Sequence, residues 1–201
     1  MNPPAESNRR ILVVDDNRSI QADFKKILTD PRPAGPAGAM EAALFGTAAA
    51  RPPAVRYELD MAQQGLDALE MVRRAVAGGR PYAMAFMDVR MPPGWDGIET
   101  TSHLWELDPA MQIVLCTAYS DYSWDEMHAK LGVSDQLVIL KKPFDNIEVL
   151  QLAATLTEKW NLAHQLQVRL AALEHTLAEQ TRELRAAREA AAGRQTGSPP
   201  A

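Results

Sequence analysis

The fold is decided by residues 11–17, which read ILVVDDN. Four consecutive apolar residues that end abruptly in two carboxylates and an amide predict a short buried strand followed by a turn. Similar apolar runs recur along the chain at residues 82–87, 111–116 and 137–140, and residues 55–61 are a further strand candidate. The chain therefore contains five candidate strands at fairly regular intervals.

Helical patterns separate the five candidate strands. Apolar residues recur at helical spacing over residues 19–29, 66–76, 98–107 and 123–131, and a long helix begins near Asp145, a good N-cap residue. Continuous apolar strands that alternate with helices are typical of a parallel sheet covered on both faces. We therefore predict an α/β protein with a doubly wound, five-stranded parallel sheet and right-handed crossovers.

Composition narrows the classes of function. The formal net charge is −5 with no basic run, which argues against nucleic acid and anionic membrane as partners. The single cysteine, Cys116, excludes an internal disulfide and favours a reducing compartment. No stretch approaches the roughly 18 apolar residues of a membrane span, and no signal-peptide pattern precedes Ile11. We expect a soluble cytoplasmic protein.

Polar residues fall at the predicted carboxyl ends of the strands. Asp15 and Asp16 follow the first strand, Asp88 the third, Thr117 the fourth and Lys142 the fifth. Functional groups of such sheets gather at this edge, so these side chains should meet. Three carboxylates in one place repel each other unless a cation lies among them, and an all-oxygen site suits Mg²⁺. One carboxylate can then act as a nucleophile towards phosphorus, beside a lysine and a hydroxyl.

Four short motifs, each at a predicted strand end, resemble those of response regulator receiver domains: residues 13–17 (VVDDN), 87–92 (MDVRMP), 116–118 (CTA) and 141–144 (KKPF). The resemblance covers residues 9–158 and implies the flavodoxin-like receiver fold of two-component signalling. It implies a signalling domain and not an enzyme, which takes a phosphoryl group from a sensor histidine kinase with Mg²⁺ and loses it slowly by itself.

The resemblance assigns a role to each acidic residue. Asp88 is the expected phosphoacceptor. Asp16 is expected to ligate Mg²⁺ directly, and Asp15 partly through water. Arg90, two residues after the acceptor, would offer its backbone carbonyl to the same ion. These four residues form the expected metal site.

The remaining two motifs supply a hydroxyl and a cation. Thr117 resembles the switch hydroxyl that moves towards the phosphoryl group, and Lys142 resembles the family's lysine. The resemblance also implies a cis peptide bond between Lys142 and Pro143. The neighbouring Lys141 should lie on the opposite face of the strand and take no part.

Three features depart from the family pattern. Pro92 and Asp96 are four steps apart where the family usually has three, so the loop beside the acceptor is expected to be reshaped. Ile139 stands where the family often has a switch aromatic, so the usual aromatic rotation cannot report phosphorylation. Residues 30–53 form a Pro-, Gly- and Ala-rich stretch far longer than the usual loop, with one helical turn expected at residues 40–45.

The C-terminal segment is predicted to form a coiled coil. Residues 145–188 contain no proline and no glycine. A heptad repeat places Val149, Leu156, Ala163, Leu170, Leu177 and Leu184 at position a, and Leu152, Lys159, Leu166, Leu173, Gln180 and Ala187 at position d. We expect residues 149–156 to fold back on the domain, residues 159–189 to form the coiled coil, and residues 190–201 to be a disordered tail.

Charges favour a parallel homodimer of this helix. In a parallel pair Arg169 would face Glu174 of the second chain, and Glu183 would face Arg188, although each ion pair contributes little. No output motif is present, so the output partner is open, and the chain is either a stand-alone regulator or the N-terminal fragment of a larger sensor kinase or diguanylate cyclase.

Two further alternatives remain. A degenerate receiver could serve only as a dimerisation adaptor, although the complete set of site residues argues against it. A haloacid-dehalogenase-like phosphatase also uses an aspartyl nucleophile, but it needs a second aspartate where this chain has Arg90.

Overall fold

A computed structural model describes residues 7–29, 56–118 and 124–195 of this chain. The loop predicted at residues 30–53, with its helical turn at residues 40–45, lies outside the described residues. The described part is an alternation of strands and helices, as the sequence predicts: β1 (Arg10–Val14), α1 (Arg18–Thr29), β2 (Glu58–Ala62), α2 (Gly65–Ala77), β3 (Met84–Asp88), α3 (Gly97–Leu107), β4 (Gln112–Thr117), α4 (Trp124–Leu131), β5 (Leu137–Lys141) and α5 (Asn146–Gln195).

The strands of the described residues form one parallel sheet in the order β2-β1-β3-β4-β5. The order reverses between β1 and β3, which is the topological switch point of a doubly wound sheet. The predicted fold class is therefore confirmed. The second strand begins at Glu58 and not at residue 55, and the third begins at Met84 and not at Tyr82.

Each face of the sheet carries its own core, because side chains alternate along every strand. Leu12, Met87 and Leu115 belong to the cluster that α2, α3 and α4 cover. Phe86 and Cys116 belong to the cluster on the face of α1 and α5. Burial raises the pKa of the Cys116 thiol, so this cysteine is an inert core residue.

Helix ends follow local capping chemistry. The Asp96 carboxylate accepts a hydrogen bond from the Glu99 N–H (2.7 Å) at the start of α3. At α5 the Glu148 carboxylate accepts from the Asp145 N–H (2.8 Å), which is the return half of a capping box. The predicted start of the long helix at Asp145 is thus correct to one residue.

The chain divides into two compact units, with the boundary between Asn161 and Leu162. In the first unit, α5 buries Val149, Ala153, Leu156 and Trp160. Lys159, placed at a d position by the heptad repeat, pairs with the Asp135 carboxylate (2.9 Å). The repeat before Leu162 therefore packs within this unit, which extends the expected fold-back of residues 149–156 to Asn161.

In the second unit, α5 presents exposed leucines: Leu162, Leu166, Leu170, Leu173, Leu177 and Leu184 are each more than half exposed. The backbone is helical as far as Gln195, so the part of the predicted tail at residues 190–195 is helix, and residues 196–201 lie outside the described residues.

Among the described helices, none combines the length and apolar character required to cross a membrane.

Candidate functional site

The three predicted acidic residues lie together at the carboxyl edge of the sheet. Asp15 and Asp16 follow β1, and Asp88 ends β3, which pairs with β1 in register Val14 to Met87. One carboxylate oxygen from each of the three residues lies within 4.8 Å of the others. Asp15 is 2% exposed, Asp88 is partly buried and Asp16 is exposed. The donor set is all oxygen, which fits a hard divalent cation.

Lys142 lies between two of these carboxylates. Its Nζ atom is 2.9 Å from Asp15 Oδ2 and 3.0 Å from Asp88 Oδ1. The Lys142–Pro143 peptide bond is cis, as predicted. The Lys142 N–H also donates to the Thr117 carbonyl (2.8 Å), which fixes the lysine beside the end of β4. Lys142, and not Lys141, is thus the lysine that reaches the acidic cluster.

For both Asp88 and Lys142, burial and ion pairing shift the pKa in opposite directions. Burial raises the pKa of Asp88, and the Lys142 ammonium beside it only partly offsets the rise. Burial works to lower the pKa of Lys142, but hydrogen bonds to Asp15 and Asp88 outweigh it, so that pKa is raised. One ammonium among three carboxylates leaves excess negative charge, which favours binding of a divalent cation.

Thr117 and Arg90 lie at the carboxyl ends of β4 and β3. Thr117 ends β4, is buried, and donates its hydroxyl proton to the Ala118 carbonyl (2.9 Å). Arg90 follows β3, and a backbone hydrogen bond from Arg90 to the Asp88 carboxylate works to lower the pKa of Asp88. The predicted role of the Arg90 carbonyl as a metal ligand remains a prediction.

The loop after β3 runs from Val89 to Asp96, and its expected reshaping relative to the family remains a prediction. Its Pro92–Pro93 peptide bond is also cis, which the sequence analysis did not predict. The Trp95 ring stacks on His103 of α3, with ring centroids 4.4 Å apart. Where the loop enters α3, a Cβ atom at Gly97 would lie 2.2 Å from the Asp88 carbonyl oxygen. Only glycine allows the helix start to approach the acceptor this closely.

Sequence reasoning missed Gln21, which supports the acidic pair. Its side-chain amide donates to the carbonyls of Asp15 (2.8 Å) and Ala62 (2.9 Å), and so ties the end of β1 to the end of β2. The Asn17 N–H adds a bond to Asp15 Oδ1 (2.9 Å). A polar residue three positions before Phe24, on the apolar face of α1, was the signal available in the sequence.

Comparison with known proteins agrees with this fold. The family model of the response regulator receiver domain matches residues 47–154, which is more than half of the chain. The chain therefore belongs to the response regulator receiver family, the phospho-signalling domains of two-component systems. The matched range contains Asp88, Thr117 and Lys142. It begins after β1, and the structure shows that β1 pairs between β2 and β3 in the same sheet.

The curated relatives are longer proteins. The transcriptional regulatory protein ZraR of Klebsiella oxytoca is 36% identical over 108 residues, which is 54% of this chain and 21% of that protein. ZraR of Escherichia coli strain K12 is 35% identical over 94 residues, 46% of this chain and 19% of that protein. The chain thus matches about a fifth of the length of these relatives.

Solved structures share the fold at low sequence identity. A response regulator receiver protein from Sinorhizobium medicae is 21% identical with a TM-score of 0.53, covering 78% of this chain and 99% of its own. A CheY-like receiver domain protein from Methanospirillum hungatei is 19% identical with a TM-score of 0.53, covering 77% and 97%. A structure titled adenylate cyclase, from Rhodopirellula baltica, is 19% identical with a TM-score of 0.58, covering 82% and 98%.

Proposed function

We propose that this chain is the receiver of a two-component phosphorelay, in which Asp88 accepts a phosphoryl group from a sensor histidine kinase and the C-terminal helix transmits the signal. One observation carries the proposal. Three carboxylates lie within 4.8 Å of one another, and an ammonium group contacts two of them. Such an arrangement suits phosphoryl transfer, in which cations must surround the equatorial oxygens.

The proposed metal is Mg²⁺. Its ligands would be the carboxylates of Asp15, Asp16 and Asp88 and the backbone carbonyl of Arg90. When bound, the ion would neutralise the clustered charge and coordinate a phosphoryl oxygen. Support comes from the all-oxygen donor set and from the excess negative charge that Lys142 leaves uncompensated.

The proposed transfer uses Asp88 as nucleophile. One carboxylate oxygen of Asp88 attacks phosphorus, the bond from phosphorus to the kinase histidine nitrogen breaks, and its electron pair stays on the imidazole. The Lys142 ammonium, 3.0 Å from Asp88 Oδ1, is placed to pair with a phosphoryl oxygen. The Thr117 hydroxyl, which now donates to Ala118, has to turn towards the acceptor before it can donate there.

The proposed chemistry makes the chain a signalling domain with only slow self-dephosphorylation. Arg90 occupies the position at which a haloacid-dehalogenase-like phosphatase needs its second aspartate. A degenerate adaptor would not need the contacts of Lys142 with Asp15 and Asp88. Both rivals are therefore less well supported than the phospho-accepting receiver.

The signal is proposed to leave the site through the backbone. Ile139 packs against the core cluster of α2, α3 and α4, where it offers no aromatic ring to rotate. A movement of Thr117 instead reaches Lys142 through the bond between the Thr117 carbonyl and the Lys142 N–H (2.8 Å). Three residues later the chain enters α5 at Asp145.

The proposed output form is a parallel homodimer through α5, in which the receiver extends to Asn161 and the coiled coil follows from Leu162 to residue 189. A second copy is the occupant that the exposed leucines favour, because five of the six, all except Leu162, fall at positions a and d of the heptad repeat. Opposite charges at the facing positions Arg169 and Glu174 also match a parallel pair. The cognate kinase and an as yet unidentified output protein are the other proposed partners, in the cytoplasm, with neither nucleic acid nor membrane.

Acetyl phosphate labelling tests the proposal. With Mg²⁺, the full chain should gain one phosphoryl group, and Asp88→Asn should gain none. Asp96→Asn is the matched control, because it removes a nearby carboxylate and leaves a residue that still caps α3. Equal labelling of the parent and of Asp88→Asn would refute the assignment of the acceptor, and an unlabelled parent would favour the degenerate adaptor.

A further inference from the structure

The last turn of α5 within the first unit is held by Asn161. This residue is 7% exposed. Its side-chain oxygen accepts from the Asn8 N–H (2.8 Å), and its amide donates to the carbonyls of Asn8 (3.0 Å) and Thr157 (2.8 Å). One side chain thus satisfies both backbone groups of a residue that is 153 positions away in the chain.

The chemistry of this contact is that of strand pairing. A side-chain amide carries the same donor and acceptor as a peptide group, so Asn161 pairs with Asn8 as a neighbouring strand would. Asn161 and Asn8 are well placed for this because Asn8 precedes β1 and Asn161 lies at the end of the unit. Removing the amide would leave a partly buried N–H and carbonyl of Asn8 without these partners, which costs stability.

Asn8 is itself fixed to the centre of the sheet. Its side-chain amide donates to the Pro81 carbonyl (3.0 Å), just before β3. Its side-chain oxygen accepts from the Arg10 N–H (3.0 Å), where β1 begins. The end of the domain-packed part of α5 is therefore bonded to a residue that both central strands hold in place.

We propose that Asn161 and Asn8 form a pivot for the output helix. The start of α5 adjoins the Lys142–Pro143 loop at the acceptor edge, whereas Asn161 is tied to the opposite, amino edge of the sheet. A rearrangement that begins at Asp145 would then turn α5 about this point, because two hydrogen bonds join Asn161 to Asn8. The signalling part of this inference rests on the proposed function, while the anchor itself does not.

Hydrogen–deuterium exchange of the whole 201-residue chain tests the pivot. Asn161→Ala should speed exchange in the peptides that contain residues 7–10 and 157–161 by about tenfold, the factor that corresponds to about 1.4 kcal/mol. Peptides covering β3 and β4 should be unchanged. Asn161→Asp, which keeps the shape and loses the amide hydrogens, should act in the same direction. Gln165→Ala, an exposed site one turn later, is the matched control.

The outcomes test the Asn161–Asn8 contact separately from phosphorylation at Asp88. Unchanged exchange at residues 7–10 in both Asn161 variants would overturn the pivot, and so would an equal rise throughout the sheet. In the parent, beryllofluoride with Mg²⁺ should change exchange near Asp145 and leave residues 7–10 and 157–161 protected. Loss of that protection would show that the Asn161–Asn8 contact breaks on activation, which also overturns the pivot. Failure of acetyl phosphate to label Asp88 would instead overturn the proposed function and leave the exchange result of the variants standing.

Discussion

At the scale of single residues, the environment of the Asp88 carboxylate disfavours its charged form. Burial raises the pKa of Asp88 above its ordinary value even though Lys142 lies beside it. The folded protein therefore holds the proton of Asp88 more tightly than the unfolded chain does. By linkage, ionisation of Asp88 costs stability once the pH rises through its folded pKa.

This linkage predicts that Asp88→Asn stabilises the protein when Mg²⁺ has been removed with a chelator. At pH 7 the variant lacks the unfavourable charge, so its free energy of unfolding should exceed that of the parent. The gain should shrink as the pH falls through the folded pKa and vanish below about pH 4, where both states of the parent are protonated. Urea unfolding at several pH values measures this. A variant less stable than the parent at pH 7 would contradict it.

The acidic cluster also predicts a response to Mg²⁺. An ion bound only by the native state stabilises it by mass action, by about 2.7 kcal/mol when the ion is at one hundred times its dissociation constant. Millimolar Mg²⁺ should therefore raise the melting temperature of the parent. Asp16→Asn should flatten the rise, while Asp23→Asn, an exposed carboxylate on α1, should leave it intact. Scanning calorimetry with and without Mg²⁺ decides, and equal rises for both variants would remove Asp16 from the site.

At the scale of elements, α5 is one helix with two kinds of surface. As far as Asn161 its buried residues pack against α1 and the sheet, and from Leu162 its leucines are exposed. Burial of a leucine side chain contributes roughly 1.5–3 kcal/mol, far more than a surface ion pair. The leucines, and not the charges, are therefore the expected source of dimer affinity.

Replacing Leu170, Leu173 and Leu177 together by serine should convert the proposed dimer into a monomer. These residues occupy successive a, d and a positions, so the change removes the centre of the seam. Replacing Ala171, Ala172 and Ala178 by serine alters the outward positions of the same turns and should leave the dimer intact. Light scattering at several concentrations, with and without beryllofluoride, measures both. A parent that dimerises only with beryllofluoride would contradict a pre-formed dimer.

Elements with a periodic signal were predictable from the sequence, and isolated contacts were not. Apolar runs such as residues 11–14 and 111–116 located the strands, and the rule that parallel strands end at one edge brought Asp15, Asp88 and Lys142 together. Boundaries were less certain. Ala83, for example, is buried and its N–H bonds to Arg10 before β3 begins, so the apolar run exceeds the strand.

The contacts that sequence reasoning missed share one cause. Asn8 and Asn161 pair across 153 positions, and Gln21 bridges the ends of two strands; neither contact leaves a repeat or spacing in the sequence. A single polar residue on an apolar helix face was the only available signal. Such side chains can be placed only once the sheet order is known.

At the scale of the whole molecule, the first unit has one receiver sheet held by helices on both faces, and the second unit has a helix with exposed leucines. The proposed phosphorylation at one edge of the sheet and the proposed dimerisation through the helix would thus depend on separate residues. The acetyl phosphate test and the leucine variants can therefore give independent answers.

The position of Asp88 depends on Gly97, a residue that has no functional side chain. Any side chain at this position would place a carbon atom 2.2 Å from the Asp88 carbonyl oxygen, so the backbone of the acceptor would have to move. Under selection for signalling, position 97 should then tolerate as few replacements as Asp88, although glycine binds no ligand and transfers no group. A ranking of residues by mutational intolerance would consequently place Gly97 beside Asp88. The short distance from a Cβ atom at Gly97 to the Asp88 carbonyl shows that the intolerance of Gly97 has a steric cause.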